Sequence, residues 1–243
     1  MKVSLIIPVK NEAPTIELIL DQIPTYIFEI IVVDGNSNDE TVELSRRHRR
    51  VSHVIVQRSK GKGAALSAGF AKATGELVAI IDADGSMQPA ELSNYLEKFP
   101  DYDVVKGSRY LHGGGSTDIT FMRSLGNRLL TRLANVLFEQ SWTDMAYGYA
   151  VFKRSVLEDL ALTNYDKLGS ILGHKSYGQG FEIETLMFTR AARRKMKIVE
   201  VPSFERERIA GSSNLRAIRD GLRVLIALIV ERSRFVPAEK SAN

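Results

Sequence analysis

The sequence predicts an α/β chain, a doubly wound and mainly parallel sheet with helices on both faces. Three observations carry that expectation. Short apolar runs recur at Val3–Val9, Phe28–Gly35, Val51–Gln57 and Leu77–Asp82, and an unbroken apolar run is how a strand buried on both faces reads. Helical patterns separate the runs, as parallel crossover units require. The runs also end in polar residues that share one edge, namely the loop after Pro8, Asp34 and Asp82. Open α/β sheets bind their ligands at that edge.

Taken in order, Val3–Val9 is the first strand, and Lys10 to Pro14 breaks it. Pro14 suits a helical first turn, and Ile16, Ile19, Leu20 and Ile23 continue at helical spacing. Phe28–Gly35 is the second strand. Asn36 to Glu40 supplies turn and capping chemistry for a helix through Arg47. After the third strand, Lys60-Gly61-Lys62-Gly63 opens a helix to about Ala73, and Leu77–Asp82 is the fourth strand. Pro89–Phe99 reads as a helix and Tyr102–Lys106 as a fifth strand.

The second half changes character. Gly113-Gly114-Gly115-Ser116 reads as a flexible loop. Ile119–Phe138 is a long basic amphipathic helix, with Arg123, Arg128 and Arg132 opposite Leu125, Leu129 and Leu133. Tyr147–Phe152 reads as a strand and Asn164–Gly180 as a mobile loop. Glu182–Arg194 is helical. Ile198–Pro202 is a strand, placed at an edge by Pro202. Arg216–Ser233 is a second basic amphipathic helix, and Pro237–Asn243 is a tail. We expect one domain over 1–243, with a first half at about 1–109, a second at about 110–215, and a terminal helix and tail at 216–243.

Composition narrows the class. The absence of cysteine excludes disulfide scaffolding and thiolate chemistry. A net charge of +4 favours anionic partners. The basic residues are spread out and not interleaved with exposed aromatics, so nucleic acid is not expected. Met1–Val9 lacks the pattern of a signal peptide. No apolar stretch approaches the ~18 residues of a membrane span. The first strand is followed by no dinucleotide fingerprint, and Lys60-Gly61-Lys62-Gly63 lacks the spacing of a phosphate loop.

Asp82-Ala83-Asp84-Gly85, where the fourth strand ends, is the centre of the chemistry. Two carboxylates one residue apart repel unless a cation lies between them. A hard divalent cation suits them and keeps phosphates in its shell. From the residues alone the pair is either such a site, holding a diphosphate, or a solvated acidic turn.

Five segments together carry a resemblance: SLIIPVKNE (Ser4–Glu12), IIVVDGNSND (Ile30–Asp39), KGKGAALSAGFAKATGELVAIIDADG (Lys60–Gly85), VVKGSR (Val104–Arg109), and Val201-Pro202 with RIAGSSNL (Arg208–Leu215). In this order the chain resembles glycosyltransferase family 2, the inverting GT-A fold, and within it the polyprenyl-phosphate glycosyltransferases of the dolichol-phosphate mannosyltransferase type. The resemblance implies that a hexose moves from a nucleotide-sugar, GDP-mannose or UDP-glucose in type, to a polyprenyl phosphate. Pro8, Asn11, Glu12 and Asp34 would line the base and ribose pocket. Asp82 and Asp84 would hold Mg²⁺ or Mn²⁺ and the diphosphate, with Lys60 and Lys62 near the phosphates. Arg109 and Arg123 would meet the lipid phosphate, and Arg208 would close over the phosphates as a catalytic residue. The two basic helices would lie on the membrane surface, which implies a peripheral protein on its cytoplasmic face.

The chain departs from that pattern twice. Ser86 stands where a Gln is usual, leaving the third metal contact to water or Gln88, and Asn214 replaces a Lys. A phosphate acceptor is already an anion and needs no strong base. A sugar hydroxyl would need one, for which Glu182 and Glu184 are the candidates. A soluble acceptor, or nucleotide-sugar binding without turnover, are the alternatives.

Overall fold

The computed structural model describes residues 1–164, 168, 170–171, 174–175, 177–211 and 216–233. The first half runs β1 (Val3–Val9), α1 (Ile16–Gln22), β2 (Glu29–Asp34), α2 (Thr41–Arg47), β3 (His53–Val56), α3 (Lys62–Lys72) and β4 (Leu77–Ile80). A single 3₁₀ turn over Pro89–Glu91 then leads into α4 (Leu92–Leu96) and β5 (Val104–Ser108). The second half adds β6 (Gly115–Ser116), α5 (Phe121–Phe138), β7 (Ala150–Lys153), α6 (Arg154–Asp159), β8 (Ser170–Ile171) and β9 (His174–Lys175). It ends with α7 (Ile183–Arg193), β10 (Ile198–Pro202), β11 (Phe204–Glu205) and α8 (Ala217–Ser233).

Seven strands form the central sheet in the order β10-β5-β7-β4-β1-β2-β3. Only β7 runs against its neighbours β4 and β5. The remaining pairs are parallel, so the C-terminal ends of β1, β2, β4 and β5 share one edge, as expected. β10 closes one side of the sheet and ends at Pro202, where no further ladder partner needs an N–H.

Both faces of the sheet are covered, which is why its strands read as continuous apolar runs. Ile6, Ile31 and Ile80 are register partners and point to one face. There they meet Leu66 and Phe70 of α3, Phe188 of α7 and Leu228 of α8. Leu5, Ile7, Ile30 and Val32 point the other way, to Ile16 and Ile19 of α1 and to Leu92 and Tyr95 of α4. Phe152 of β7 lies between Phe70 and Phe188, with ring centroids 6.3 Å from each.

Two expectations are corrected. Gly113–Ser116 is not simply a flexible loop: Gly115 and Ser116 form β6, paired parallel with Phe204 and Glu205 of β11. A side chain at Gly114 would meet the Ser108 carbonyl oxygen at 2.5 Å, so this glycine serves close backbone approach. In Asn164–Gly180, β8 and β9 form a short antiparallel pair. Part of that segment, Asn214 and the Pro237–Asn243 tail lie outside the described residues.

α5 and α8 pack side by side. α8 buries Val224, Ala227, Leu228 and Glu231 and leaves Ile218, Leu222, Ile226 and Ile229 exposed as a second stripe. Phe121, Met122, Leu125 and Leu129 of α5 are exposed as well. No helix among the described residues is long and apolar enough to cross a membrane.

Candidate active site

A cavity of about 400 Å³ opens at the shared strand edge. Four parallel strands contribute residues at or just past their C-terminal ends: Pro8 to Lys10 from β1, Gly35 from β2, Gln57 from β3, and Asp82 to Asp84 from β4. Glu12, Lys62, Phe181 and Arg208 complete the inner wall. Arg216, Arg219, Asp220 and Arg223, at the start of α8, line its other side.

The two carboxylates of the strand end already have cationic partners. Lys62 Nζ lies 2.7 Å from Asp82 Oδ1 and 2.9 Å from Glu184 Oε1. Arg208 Nη2 lies 3.0 Å from Asp84 Oδ2, and the Ser86 backbone N–H donates to Asp84 Oδ1 at 2.9 Å. Burial pulls the Lys62 ammonium down, but Asp82 and Glu184 outweigh it and hold the group above its ordinary value. Burial pushes the Glu184 carboxyl up, and the nearby Asp82 adds to that against the opposing pull of Lys62.

Local backbone explains why Lys62 sits there. Gly61 has φ +106, and a side chain on it would strike the Gln179 carbonyl oxygen at 2.0 Å. A side chain on Gly63 would meet the Gly178 carbonyl oxygen at 1.8 Å. Gly63 N–H instead donates to that same Gln179 oxygen at 2.9 Å. The two glycines thus let residues 178–180 dock on the start of α3, which brings α7 and its Glu184 to Lys62. Gly148, just before β7, leaves room for the pair: a side chain there would lie 2.4 Å from Glu184 Oε1.

The segment carrying Arg208 folds over the acidic turn. Arg206 N–H donates to Ser86 O at 2.9 Å and Ile209 N–H to Asp84 O at 3.0 Å. Ile209 lies against Gly85, where φ is +81 and any side chain would meet Ile209 Cδ1 at 2.4 Å.

The cavity therefore brings together Pro8, Glu12, Lys62, Asp82, Asp84 and Arg208 from the residues singled out in the sequence. It does not include Asn11, Asp34, Lys60, Arg109 or Arg123 among its lining. Asn11 and Asp34 hold the neighbouring loop: Asn11 Oδ1 accepts from Asn38 N–H at 2.8 Å, and Asp34 Oδ1 accepts from the Ser37 hydroxyl at 2.5 Å. Lys60 is exposed. Arg123 pairs with Asp118 at 3.2 Å in the first turn of α5. Arg109 is buried, with Nε 2.7 Å from Asp144 and Nη1 3.0 Å from Glu205. Gln88, like Ser86, does not line the cavity; its carbonyl accepts from the Tyr149 hydroxyl at 3.0 Å.

Several lining residues escaped the sequence reading. Gln57 is one: its side-chain oxygen is buried and has no hydrogen-bond partner among the described residues. Its position directly after β3 was the available signal. The α8 arginines are the others. Their spacing showed a basic helix face, but not that its first turns reach the carboxylates. Of the two candidate bases, Glu182 is fully buried and accepts from Arg223 Nη2 at 2.7 Å. Glu184 is held by Lys62.

The donor set fits a hard divalent cation. Asp82 and Asp84 offer oxygen ligands only. Glu12 is pushed up by burial, is eased by its Thr15 hydrogen bond, and feels the field of both acids. Among the described residues no group of three or more acidic, His or Cys side chains could hold a metal unaided. Two carboxylates with phosphates and water supplying the rest is how Mg²⁺ is commonly bound.

Comparison with known proteins bears on this arrangement. The family model described as glycosyl transferase family 2 matches residues 4–161. The chain is 31% identical to the glycosyltransferase AglJ of Haloferax volcanii over 90% of its length and 68% of that protein. It is 28% identical to the dolichol-phosphate mannosyltransferase of Pyrococcus furiosus, covering 89% of this chain but only 60% of the relative. It is 30% identical to the undecaprenyl-phosphate mannosyltransferase of Micrococcus luteus, covering 88% of each. Among solved structures, glucosyl-3-phosphoglycerate synthase from Mycobacterium tuberculosis, in complex with Mn²⁺, uridine diphosphate and glucosyl-3-phosphoglycerate, superposes with a TM-score of 0.68. The match has 21% identity and covers 95% of this chain and 79% of the other. With the acidic turn at the strand edge and a family match across β1 to α6, the chain belongs to glycosyl transferase family 2 and is a glycosyltransferase of GT-A fold.

Proposed function

We propose that the protein moves a hexose, with inversion, from a nucleoside-diphosphate sugar to a polyprenyl phosphate at a membrane surface. One observation carries the reading: a single cavity joins the Asp82–Asp84 carboxylates to a row of arginines at the start of α8, whose exposed apolar stripe continues from the same turns. Acid pair and arginines suit a diphosphate and a second phosphate. The stripe of Ile218, Leu222, Ile226 and Ile229, with basic residues flanking it, suits a lipid surface. The names of two relatives, a dolichol-phosphate and an undecaprenyl-phosphate mannosyltransferase, support the same acceptor class.

Asp82 and Asp84 would hold Mg²⁺ or Mn²⁺, and the complexes of the fold neighbour with Mn²⁺ support a divalent ion. Such an ion, when bound, supplies charge stabilisation for a leaving diphosphate. The side chains do the remaining work. Arg208, whose Nε has no hydrogen-bond partner among the described residues, receives phosphate oxygens and stabilises their growing charge. Lys62 adds a second cation behind Asp82. Pro8, Val9, Gly35 and Gln57 form the wall on which the nucleoside lies. Arg216 and Arg219, exposed at the mouth, orient the acceptor phosphate. Arg109 is committed to buried carboxylates, Arg123 pairs with half-buried Asp118, and neither lines the cavity, so we move the acceptor role from them to α8.

The acids singled out as candidate bases fit this choice. Glu182 Oε1 is paired with Arg223 and Glu184 with Lys62, and neither acid lines the cavity, so neither is placed to take a proton from a sugar hydroxyl there. A phosphate monoester is an anion near neutral pH and requires none.

The test offers GDP-mannose and UDP-glucose, with Mg²⁺ or Mn²⁺, to undecaprenyl phosphate in anionic vesicles and to 3-phosphoglycerate in solution. Hexosyl lipid is the expected product. Turnover confined to the soluble acceptor would sink the lipid assignment. Replacing both Asp82 and Asp84 by Asn should lower turnover by about 10³-fold or more, the scale of losing principal charge stabilisation, without unfolding the chain.

A further inference from the structure

We propose that Lys62 and Arg208 are resident counter-cations of Asp82 and Asp84, so that a divalent ion binds poorly by itself and enters with a nucleoside diphosphate as a pair. The inference rests on the donor reading above and concerns the order in which that site is filled.

The geometry points to displacement. Asp82 has the Lys62 ammonium at 2.7 Å, and Asp84 has the Arg208 guanidinium at 3.0 Å. The remaining Asp84 oxygen accepts from the Ser86 backbone N–H. A divalent ion entering alone must therefore take both carboxylates from their partners, leaving Arg208 without its carboxylate and Lys62 with Glu184 alone. Like charges at contact distance in a partly buried site repel strongly. A nucleoside diphosphate removes that difficulty, because its oxygens give Lys62 and Arg208 new partners while sharing the ion.

Each cation is built for such an exchange. Lys62 keeps Glu184 at 2.9 Å when Asp82 is taken, so it is not left bare in a site where its side chain is 10% exposed. Arg208 has a buried Nε with no hydrogen-bond partner among the described residues, so the guanidinium keeps unused donor capacity for a phosphate when it leaves Asp84. Glu184 is thus a positioning residue that acts through Lys62, and Gly148 gives it the space to do so.

The test measures Mn²⁺ binding to the full chain by electron paramagnetic resonance, with and without UDP or GDP. No sugar is present, so no turnover enters. Nucleotide alone would tighten Mn²⁺ by offering phosphate ligands, so the deciding measurements are those without nucleotide. R208Q should bind free Mn²⁺ roughly tenfold more tightly than the natural chain, within the usual size of coupling between sites. R208K, which keeps the charge, should not. E184Q should weaken free Mn²⁺, since Lys62 is then left wholly to Asp82. R219Q removes a cavity charge that pairs with neither acid and should change little. The proposal is overturned if R208Q leaves free Mn²⁺ binding unchanged or weaker, or if R219Q has the same effect as R208Q. Circular dichroism of each variant excludes misfolding as the cause. Failure of the donor reading looks different: the natural chain with Mn²⁺ would bind neither UDP nor GDP.

Discussion

Two arginines meet carboxylates close to the same sheet edge, and they do opposite things. Arg109 is saturated: Nε and Nη2 face Asp144 at 2.7 and 3.0 Å, Nη1 faces Glu205 at 3.0 Å, and the group lies 4.7 Å from the Tyr147 ring centroid. Arg208 has one ion pair, an orphaned Nε and a place in the cavity wall. The first is a brace that ties β5, the turn at Asp144 and β11 together. The second has donor capacity left over in the cavity wall. Unfilled hydrogen-bonding capacity inside a cavity, rather than residue type, is what separates Arg208, proposed to bind phosphate, from the structural Arg109.

The contrast can be broken by substitution. R109M should be the more damaging change to the fold. Removing one partner of a buried ion cluster strands Asp144 and Glu205 and costs about 3–5 kcal/mol, read as a lower urea midpoint with an unchanged slope. R208M should leave Tm within about 3 °C of the natural chain. Its kcat should fall about 10²-fold, the usual loss for one charge-stabilising donor. A large Tm loss in R208M, or a stable R109M with poor acceptor binding, would exchange the two assignments.

The smallest expected effect sharpens the same point at Glu12. Burial lifts its carboxyl above the ordinary value, and Asp84 and Asp82 add to the lift against Thr15 and Arg208. A raised carboxyl costs stability only where it is ionised. The cost is absent well below 4.5 and complete above the folded-state value. E12Q should therefore raise Tm at neutral pH by about 1–2 °C, and the gain should vanish on acidification. A gain that persists in acid would show that ionisation is not its origin.

Much of the frame was legible in the residues. β1, β2 and β4 announce themselves as apolar runs because both faces of the sheet are covered, and the acids at their ends fall on one edge because those strands are parallel. The direction of β7 was not legible, since four residues of Ala-Val-Phe-Lys carry no sign of orientation. β6 and β11 were missed because two-residue strands leave no periodicity. At the site, the acidic turn and Lys62 could be found from motif and spacing. The separate fates of Arg109 and Arg208 could not, because each is decided by carboxylates far away in sequence: Asp144 and Glu205 for one, Asp84 for the other. Lys60-Gly61-Lys62-Gly63 was legible as a helix opening, whereas the use of its glycines, to admit residues 178–180, was not.

The reversed strand has a consequence for how this chain can be divided. β7 comes from residues 150–153, yet it is wedged between β4 and β5, both of which precede position 109. A fragment ending near 109 would carry a sheet with its middle stave missing and two bare ladder edges turned inward. The portions before and after about residue 109 are therefore interlocked rather than joined end to end. A swap between relatives cut at that seam should yield insoluble protein, while a cut after α6 keeps the wedge with the strands that grip it.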